Sequence, residues 1–124
     1  NVNEENKITH IFLDTIKPWN LKATNQGHSG RCWMFAGLNI FRYLVTAAFD
    51  IIDFEFSESY LFFWDKLERS NTLLQWYIDN PNHTQYDRTA EYMGPNFLSD
   101  GGWWNYFANL VRKYGLIPKT AMNE

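Results

Sequence analysis

The sequence contains a single cysteine, Cys32, in surroundings that suit a reactive thiol. A helix predicted to begin near Arg31 places Cys32 in its first turn, where unpaired backbone N–H groups and the helix dipole favour a thiolate. Gly27 and Gly30 lie just before it and leave room for a substrate backbone to approach. A lone cysteine in an apolar run also occurs as core filler. Position alone therefore leaves two interpretations open, a nucleophile and a packing residue.

Gln26 lies six residues before Cys32, across a loop that contains glycine. Its side-chain amide can fold back and donate to an oxyanion, next to the backbone N–H of Cys32. Taken alone, Gln26 fits an ordinary loop residue. Together with a thiol at a helix start, it forms the nucleophile and oxyanion half of an acyl-transfer site.

A cysteine nucleophile also needs a histidine as general base and a third group to orient that histidine. The three histidines are His10, His28 and His83. His28 lies four residues before Cys32 and is a weak candidate for the base, since a solvent-facing loop position explains it better. His10 and His83 have no carboxylate or amide at a convincing spacing and fit surface positions.

Two long helices are predicted in the first two thirds of the chain. The first runs from about residue 31 to residue 49 and is apolar on nearly every face, which predicts a buried central helix. Ser29 or Gly30 is expected to cap its start. The second follows Ser57, a favourable N-cap residue, and continues to about Tyr77.

Two shorter helices are predicted after these, over about residues 87–93 and from Ser99 or Asp100 to the residue before Gly115. The last helix carries an amphipathic stripe formed by Trp103, Phe107, Leu110, Val111 and Tyr114. Residues 116–118 are expected to leave in an extended conformation. The sequence therefore predicts a mostly helical structure with little strand.

Composition excludes several classes of protein. The formal net charge of −3 excludes a basic nucleic-acid-binding surface on this segment, so nucleic acid is not an expected partner. With 45% hydrophobic and 20% charged residues, extensive disorder is also excluded. No stretch approaches the ~20 apolar residues of a membrane span. The first residues, 1–7, are too polar for a secretory signal.

Metal and cofactor sites are not predicted either. The three histidines have no paired spacing, and Cys32 has no second cysteine as a metal ligand or redox partner. The glycine pair Gly101-Gly102 lacks the rest of a phosphate-binding motif. The chain does not begin with Met and stops just after an extended-looking segment, so we expect a fragment of a longer protein.

Four stretches of the sequence carry a family resemblance. Residues 25–36 read NQGHSGRCWMFA, residues 55–66 read EFSESYLFFWDK, residues 100–103 read DGGW and residues 113–119 read KYGLIPK. Across roughly residues 20–122, and in the same order, they resemble the papain-like cysteine peptidases, more narrowly the bleomycin hydrolase and aminopeptidase C branch. One such motif is moderately specific, whereas four in register are strongly specific.

The resemblance implies a role for each matching residue. Cys32 would be the nucleophile and Gln26 the oxyanion-hole side chain. Gly101-Gly102 would pair with the backbone of an extended peptide substrate, and Gly30 would lie beside the pocket for the residue before the scissile bond. Trp33 would pack behind the nucleophile.

The resemblance also implies a fold and a cellular setting. The fold would be the α+β papain-like fold, with residues 1–25 as an irregular N-terminal arm and residues 26–124 as its mostly helical left half. The family supplies the catalytic His and Asn from a later, strand-rich half. We therefore expect residues 1–124 alone to be inactive. Ser29 and Ser99 stand where secreted relatives carry a disulfide, which indicates the cytosol. The branch assembles as a homo-hexamer that acts on free amino termini.

Two other functions remain open from the sequence. The segment from Gly30 to Trp33 also resembles the cysteine segment of transglutaminases, although Gln26 and the DGGW stretch argue against that acyl-transfer family. A non-catalytic interaction module is the second alternative. The presence of both Cys32 and Gln26 argues against it, since drift would remove either one.

Overall fold

Four α-helices form the regular core of the part of the chain that the structure describes. The computed structural model describes residues 21–84, 86–94 and 96–123. The helices are α1 (Cys32–Phe49), α2 (Glu58–Asp79), α3 (Arg88–Tyr92) and α4 (Trp104–Tyr114), and a short 3-10 helix (Lys119–Ala121) follows them. The predicted helical fold is confirmed. Of the predicted arm, residues 1–20 lie outside the described residues, and residues 21–25 have no regular structure.

Helix α1 begins one residue later than expected and without a side-chain cap. Its N-cap residue is Arg31, which makes no capping hydrogen bond through its side chain. The prediction that Ser29 or Gly30 caps the helix was wrong, because the Ser29 hydroxyl donates to the carbonyl oxygen of Gln26 at 2.8 Å. Cys32 nevertheless lies in the first turn, as predicted.

Helix α2 begins as the sequence predicts and ends slightly later. The Ser57 hydroxyl accepts a hydrogen bond from the Tyr60 backbone N–H at 3.1 Å and donates one to the Met122 carbonyl at 2.6 Å. The helix continues two residues beyond the predicted end, to Asp79. The Ser57 hydroxyl thus joins the start of α2 to the last described residues.

The segment after α4 leaves in an extended conformation, as predicted, and pairs with the residues that precede α2. Phe56 and Pro118 form an isolated antiparallel bridge. The Ser57 N–H donates to the Ile117 carbonyl and the Lys119 N–H donates to the Glu55 carbonyl, each at 2.9 Å.

Helix α4 begins later than the sequence predicted. Its first residue is Trp104, and its N-cap, Trp103, has an extended backbone and makes no capping side-chain bond. The predicted start at Ser99 or Asp100 was wrong because these residues belong to an irregular loop held by other elements. Trp103 is 72% exposed and is therefore not part of the buried stripe, whereas Phe107 in the next turn is fully buried.

Helices α1, α2 and α4 pack against one another around a small apolar core. Phe107 of α4 lies so close to Gly37 of α1 that a Cβ added at Gly37 would come within 2.6 Å of the ring. Only glycine permits this approach of the two helices. The buried cluster comprises Met34, Leu38, Phe56, Leu61, Phe107 and Leu110.

The described residues cover only one face of the predicted central helix. Ile40 and Leu44 are each 54% exposed, and Ala36 and Ala47, on the same side of α1, are also exposed. These positions recur at intervals of three or four residues and so form one helical face. We call Ala36, Ile40, Leu44 and Ala47 the open face of α1.

Helix α1, with 18 residues, is also long and apolar enough to cross a membrane by length and composition. Its packing identifies it as a core helix. The buried Arg42 lies in its middle and donates to the carbonyls of Phe54 and Lys22. Met34 and Leu38, also in α1, belong to the apolar core that α2 and α4 share.

Candidate active site

Cys32 lies at the exposed N-terminal end of α1. The first hydrogen bonds of the helix are donated by Met34 and Phe35 to the Arg31 carbonyl, at 2.9 and 3.1 Å. The backbone N–H of Cys32 belongs to the first turn, whose N–H groups have no partner within the helix. Cys32 is exposed among the described residues, which argues against the core-filler interpretation.

The turn before α1 holds the Gln26 side chain in a folded-back position. Gln26 Nε2 donates to the carbonyl oxygen of Ser29 at 2.7 Å. The turn is tightened by Gly27, which has a φ of 60° and donates its N–H to the Asn25 side chain at 2.9 Å. A carboxamide carries two N–H donors, so one remains for another acceptor. The structure thus places an oriented amide donor in the loop that leads directly to Cys32.

Trp33 connects the start of α1 to the loop that contains the glycine pair. Its indole N–H donates to the Asp100 carbonyl at 2.8 Å. Its ring lies against Gly102 so closely that a Cβ at that position would overlap it. Gly30 lies beside the same loop, since a Cβ there would come within 3.1 Å of the Asp100 Cβ. The structure therefore brings together Gly30, Trp33 and Gly102, three of the residues predicted to bind substrate.

The Asp100 carboxylate forms a second connection between the two loops. Lys66 of α2 lies 3.1 Å from Asp100 Oδ1, and the Gly30 N–H donates to the same carboxylate. The hydrogen bond from Lys66 lowers the pKa of Asp100, against a smaller opposing effect of burial. The carboxylate is therefore ionised at neutral pH and attracts both partners.

Two basic residues of α2 bind the carbonyl oxygens of the loop that carries the glycine pair. Lys66 Nζ donates to Leu98 O at 2.6 Å and to Ser99 O at 2.9 Å. Arg69 Nη2 donates to Gly101 O at 2.7 Å. No pattern in the sequence indicated these contacts, because the partners are backbone carbonyls about thirty residues away in an irregular loop.

A surface cavity of about 410 Å³ borders the glycine pair. Its walls include the aromatic side chains of Tyr92, Phe97, Trp103 and Tyr106. Gly101 is exposed on this surface, and a Cβ there would meet open space. The cavity therefore presents an aromatic wall beside the glycine pair.

The described histidines are not arranged as a catalytic base. His28 is exposed in the turn before α1, in agreement with its interpretation as a solvent-facing residue. His83 is half-buried rather than free at the surface, because its ring packs against Trp76 and Tyr77. His83 Nδ1 lies 2.7 Å from the carbonyl oxygen of Asn80, beyond the end of α2. His10 lies outside the described residues.

Among residues 21–84, 86–94 and 96–123, no cluster of three His, Cys, Asp or Glu side chains is arranged to hold a metal ion.

Comparison with known proteins places this geometry in a family. The family model of the Peptidase C1-like family matches residues 1–124. Bleomycin hydrolase of Rattus norvegicus is 40% identical over 117 residues, which cover 93% of this chain and 26% of that protein. Aminopeptidase C of Listeria monocytogenes is 41% identical over 103 residues, covering 83% of this chain and 23% of that protein.

A solved structure agrees with these sequence matches. The crystal structure of pepw from Lactobacillus rhamnosis superposes with a TM-score of 0.76 at 41% identity, covering 82% of this chain and 23% of that one. The chain thus spans about a quarter of the length of the relatives it matches.

The contact between Trp33 and Gly102 generates a prediction for stability. Replacing Gly102 with alanine places a methyl group in the space that the Trp33 indole occupies. We therefore expect a destabilisation of about 1–3 kcal/mol, typical of overpacking. The matched control is Gly101→Ala, one residue away, where a Cβ meets open space. Thermal unfolding of the intact protein provides the measurement. Equal unfolding temperatures for the two variants would contradict the close packing of Trp33 on Gly102.

Proposed function

The chain belongs to the Peptidase C1-like family, and we propose that it forms the nucleophile-bearing part of a cysteine aminopeptidase. The observation that supports this most strongly is the exposed Cys32 in the first turn of α1, next to a Trp33 that packs on the glycine pair. The names of the relatives, bleomycin hydrolase and aminopeptidase C, agree with hydrolysis of peptide-like bonds. No observation favours the transglutaminase-like or non-catalytic alternatives.

The proposed reaction is acyl transfer through Cys32. Its thiolate sulfur attacks the carbonyl carbon of the scissile bond, and the carbonyl π electrons move to oxygen. That oxyanion accepts hydrogen bonds from the Cys32 N–H and the Gln26 amide. The carbon–nitrogen bond then breaks, and the leaving amine takes a proton from the protonated catalytic histidine. Water hydrolyses the resulting thioester, which releases the acid and restores the thiol.

The glycine pair is proposed to hold the substrate in line with the sulfur. An extended peptide can approach Gly101 and Gly102 because neither has a side chain. The indole of Trp33 packs against Gly102, so the residue next to the nucleophile also supports the loop proposed to bind substrate. Gly30 borders the same loop and is proposed to leave space for the residue before the scissile bond.

The rest of the papain-like domain is proposed to supply the general base and its orienting Asn. The open face of α1 supports this proposal, because Ile40 and Leu44 expose an apolar surface on the helix that carries Cys32. Burial of such side chains is favourable by about 1.5–3 kcal/mol each. Residues 1–124 by themselves are therefore proposed to be inactive.

The cellular setting of the whole protein follows the resemblance to its branch. We propose that it is cytosolic, assembles as a homo-hexamer and acts on peptides with free amino termini. Ser29 and Ser99, in place of a cysteine pair, support a compartment in which thiols stay reduced.

Substitution of the nucleophile tests the proposed function. In the intact enzyme, Cys32→Ala is expected to abolish hydrolysis of aminoacyl arylamides, because no other described residue can form the thioester. Because Cys32 is exposed, this substitution should change the unfolding free energy of the protein by no more than about 0.5 kcal/mol. Release of arylamine is the kinetic measurement, and thermal unfolding is the control. Turnover by a correctly folded Cys32→Ala protein at the rate of the parent enzyme would overturn the proposed function.

Substitution of the amide donor tests the oxyanion hole separately. Gln26→Ala is expected to lower kcat by about 10²–10³-fold, with a much smaller change in KM, because the donor acts on charge that develops in the transition state. Alkylation of Cys32 by iodoacetamide forms no oxyanion and should proceed at a nearly unchanged rate. The matched control is Gln75→Ala, an exposed glutamine of α2 that bonds to Asp79. A kcat equal to that of the control would remove Gln26 from the proposed mechanism.

A further inference from the structure

One guanidinium group binds three backbone carbonyls of the loop of residues 97–101. Arg69 Nη2 donates to Gly101 O at 2.7 Å, and Arg69 Nη1 lies 3.3 Å from both Phe97 O and Ser99 O. Three backbone carbonyls of an irregular segment therefore converge on one side chain. A planar fork of donors can bind such a set in only one orientation, so it specifies the position of the loop.

Arg69 is itself held in place by α2 and α4. Its Nε donates to Asp65 Oδ1 at 3.0 Å, one helical turn away. Its guanidinium lies over the Tyr106 ring, 4.9 Å from the ring centre. All three guanidinium nitrogens thus have partners, and the side chain is only 11% exposed. Such a side chain is already oriented before a substrate arrives.

Asp65 is an unfavourable residue to bury for stability alone. Its side chain is 4% exposed, and in the part of the chain that the structure describes Oδ2 has no hydrogen-bond partner. Burial raises the pKa of Asp65, and the attraction of Arg69 offsets part of that rise. An unsatisfied buried carboxylate oxygen has a desolvation cost. Residues that break such packing rules are most often found where function requires them.

Arg69 attaches the glycine pair to a helix other than the one that carries Cys32. Arg69 of α2 binds Gly101 O, whereas Trp33 of α1 binds Asp100 O and packs on Gly102. Consecutive residues of the loop are therefore fixed to two different helices. The position of the glycine pair relative to Cys32 depends on both contacts.

We propose that Arg69, oriented by Asp65, is a positioning residue that sets the place of Gly101-Gly102 and thereby the alignment of the peptide substrate with Cys32. The proposal rests on the proposed peptidase function, because it assigns a consequence for substrate alignment. Lys66 assists by binding the carbonyls of Leu98 and Ser99. The substrate backbone itself does not contact Arg69 in this proposal.

The test compares Arg69→Met and Arg69→Lys in the intact enzyme, with kcat expressed per reactive Cys32 thiol. The methionine variant should raise KM for peptide substrates by about 10-fold or more, because a displaced glycine pair binds the substrate backbone less well. Lysine retains the charge but not the fork, and should restore KM only in part. Iodoacetamide does not use the glycine pair, so alkylation of Cys32 should stay within about 2-fold of the parent enzyme, as expected for an alteration remote from the thiol.

Two further variants complete the design. Arg112→Met is the matched control, because Arg112 is an exposed arginine of α4. If Arg69→Met fails to fold, Asp65→Asn replaces it, and loss of the orienting charge should still raise KM. A purely structural role would lower the unfolding temperature while KM stayed at the parent value.

The outcomes distinguish failure of the positioning role of Arg69 from failure of the peptidase function. Higher KM with normal alkylation supports the positioning role. A parent-like KM in Arg69→Met, or in Asp65→Asn where that variant is used, would overturn the positioning role and leave the peptidase function standing. A parent enzyme without any Cys32-dependent hydrolysis would overturn the proposed function, and the positioning role with it.

Discussion

The site depends on the contact that the Trp33 indole makes with the loop of the glycine pair. One face of the ring lies on Gly102, and its N–H donates to the Asp100 carbonyl. Since Trp33 follows Cys32 directly in α1, its contacts connect the start of that helix to the loop of the glycine pair. A hydrogen bond from a buried donor to a backbone carbonyl contributes about 1 kcal/mol, but its main effect here is geometric. It fixes the distance between two segments that are far apart in the sequence.

Charged side chains of α2 fix the path of the loop before α4, which apolar packing alone does not specify. The apolar core, with Phe107 packed on Gly37, brings α1 and α4 together without specifying the path of the loop before α4. Lys66 and Arg69 specify that path by binding its carbonyls. The two kinds of contact differ because hydrophobic contact is non-directional, whereas hydrogen bonds to carbonyl oxygens have defined geometry.

Local patterns predicted those parts of the fold that depend on neighbours in the sequence. Ser57 caps α2 through a bond within its own turn, and Cys32 lies in the first turn of α1, as expected. The predicted cap at Ser29 and the predicted helix start at Ser99 were wrong, because the polar groups of both residues bind partners outside a helical turn. In the candidate site, too, local motifs predicted some residues and distant contacts determine others. Cys32, Gln26 and the glycines were recognisable from motifs, whereas the role of Arg69 depends on carbonyls that no local pattern reveals.

We propose that Cys32 carries the acyl group of the substrate during turnover. It is tested most directly by acid-quenching the intact enzyme during hydrolysis of a slowly released ester substrate and measuring the mass of each peptide. We predict an acyl adduct on the peptide that contains Cys32, at a stoichiometry approaching one per reactive thiol. Hydrolysis that proceeds at the same rate with no acyl mass on Cys32, or with the adduct on another residue, would contradict the account.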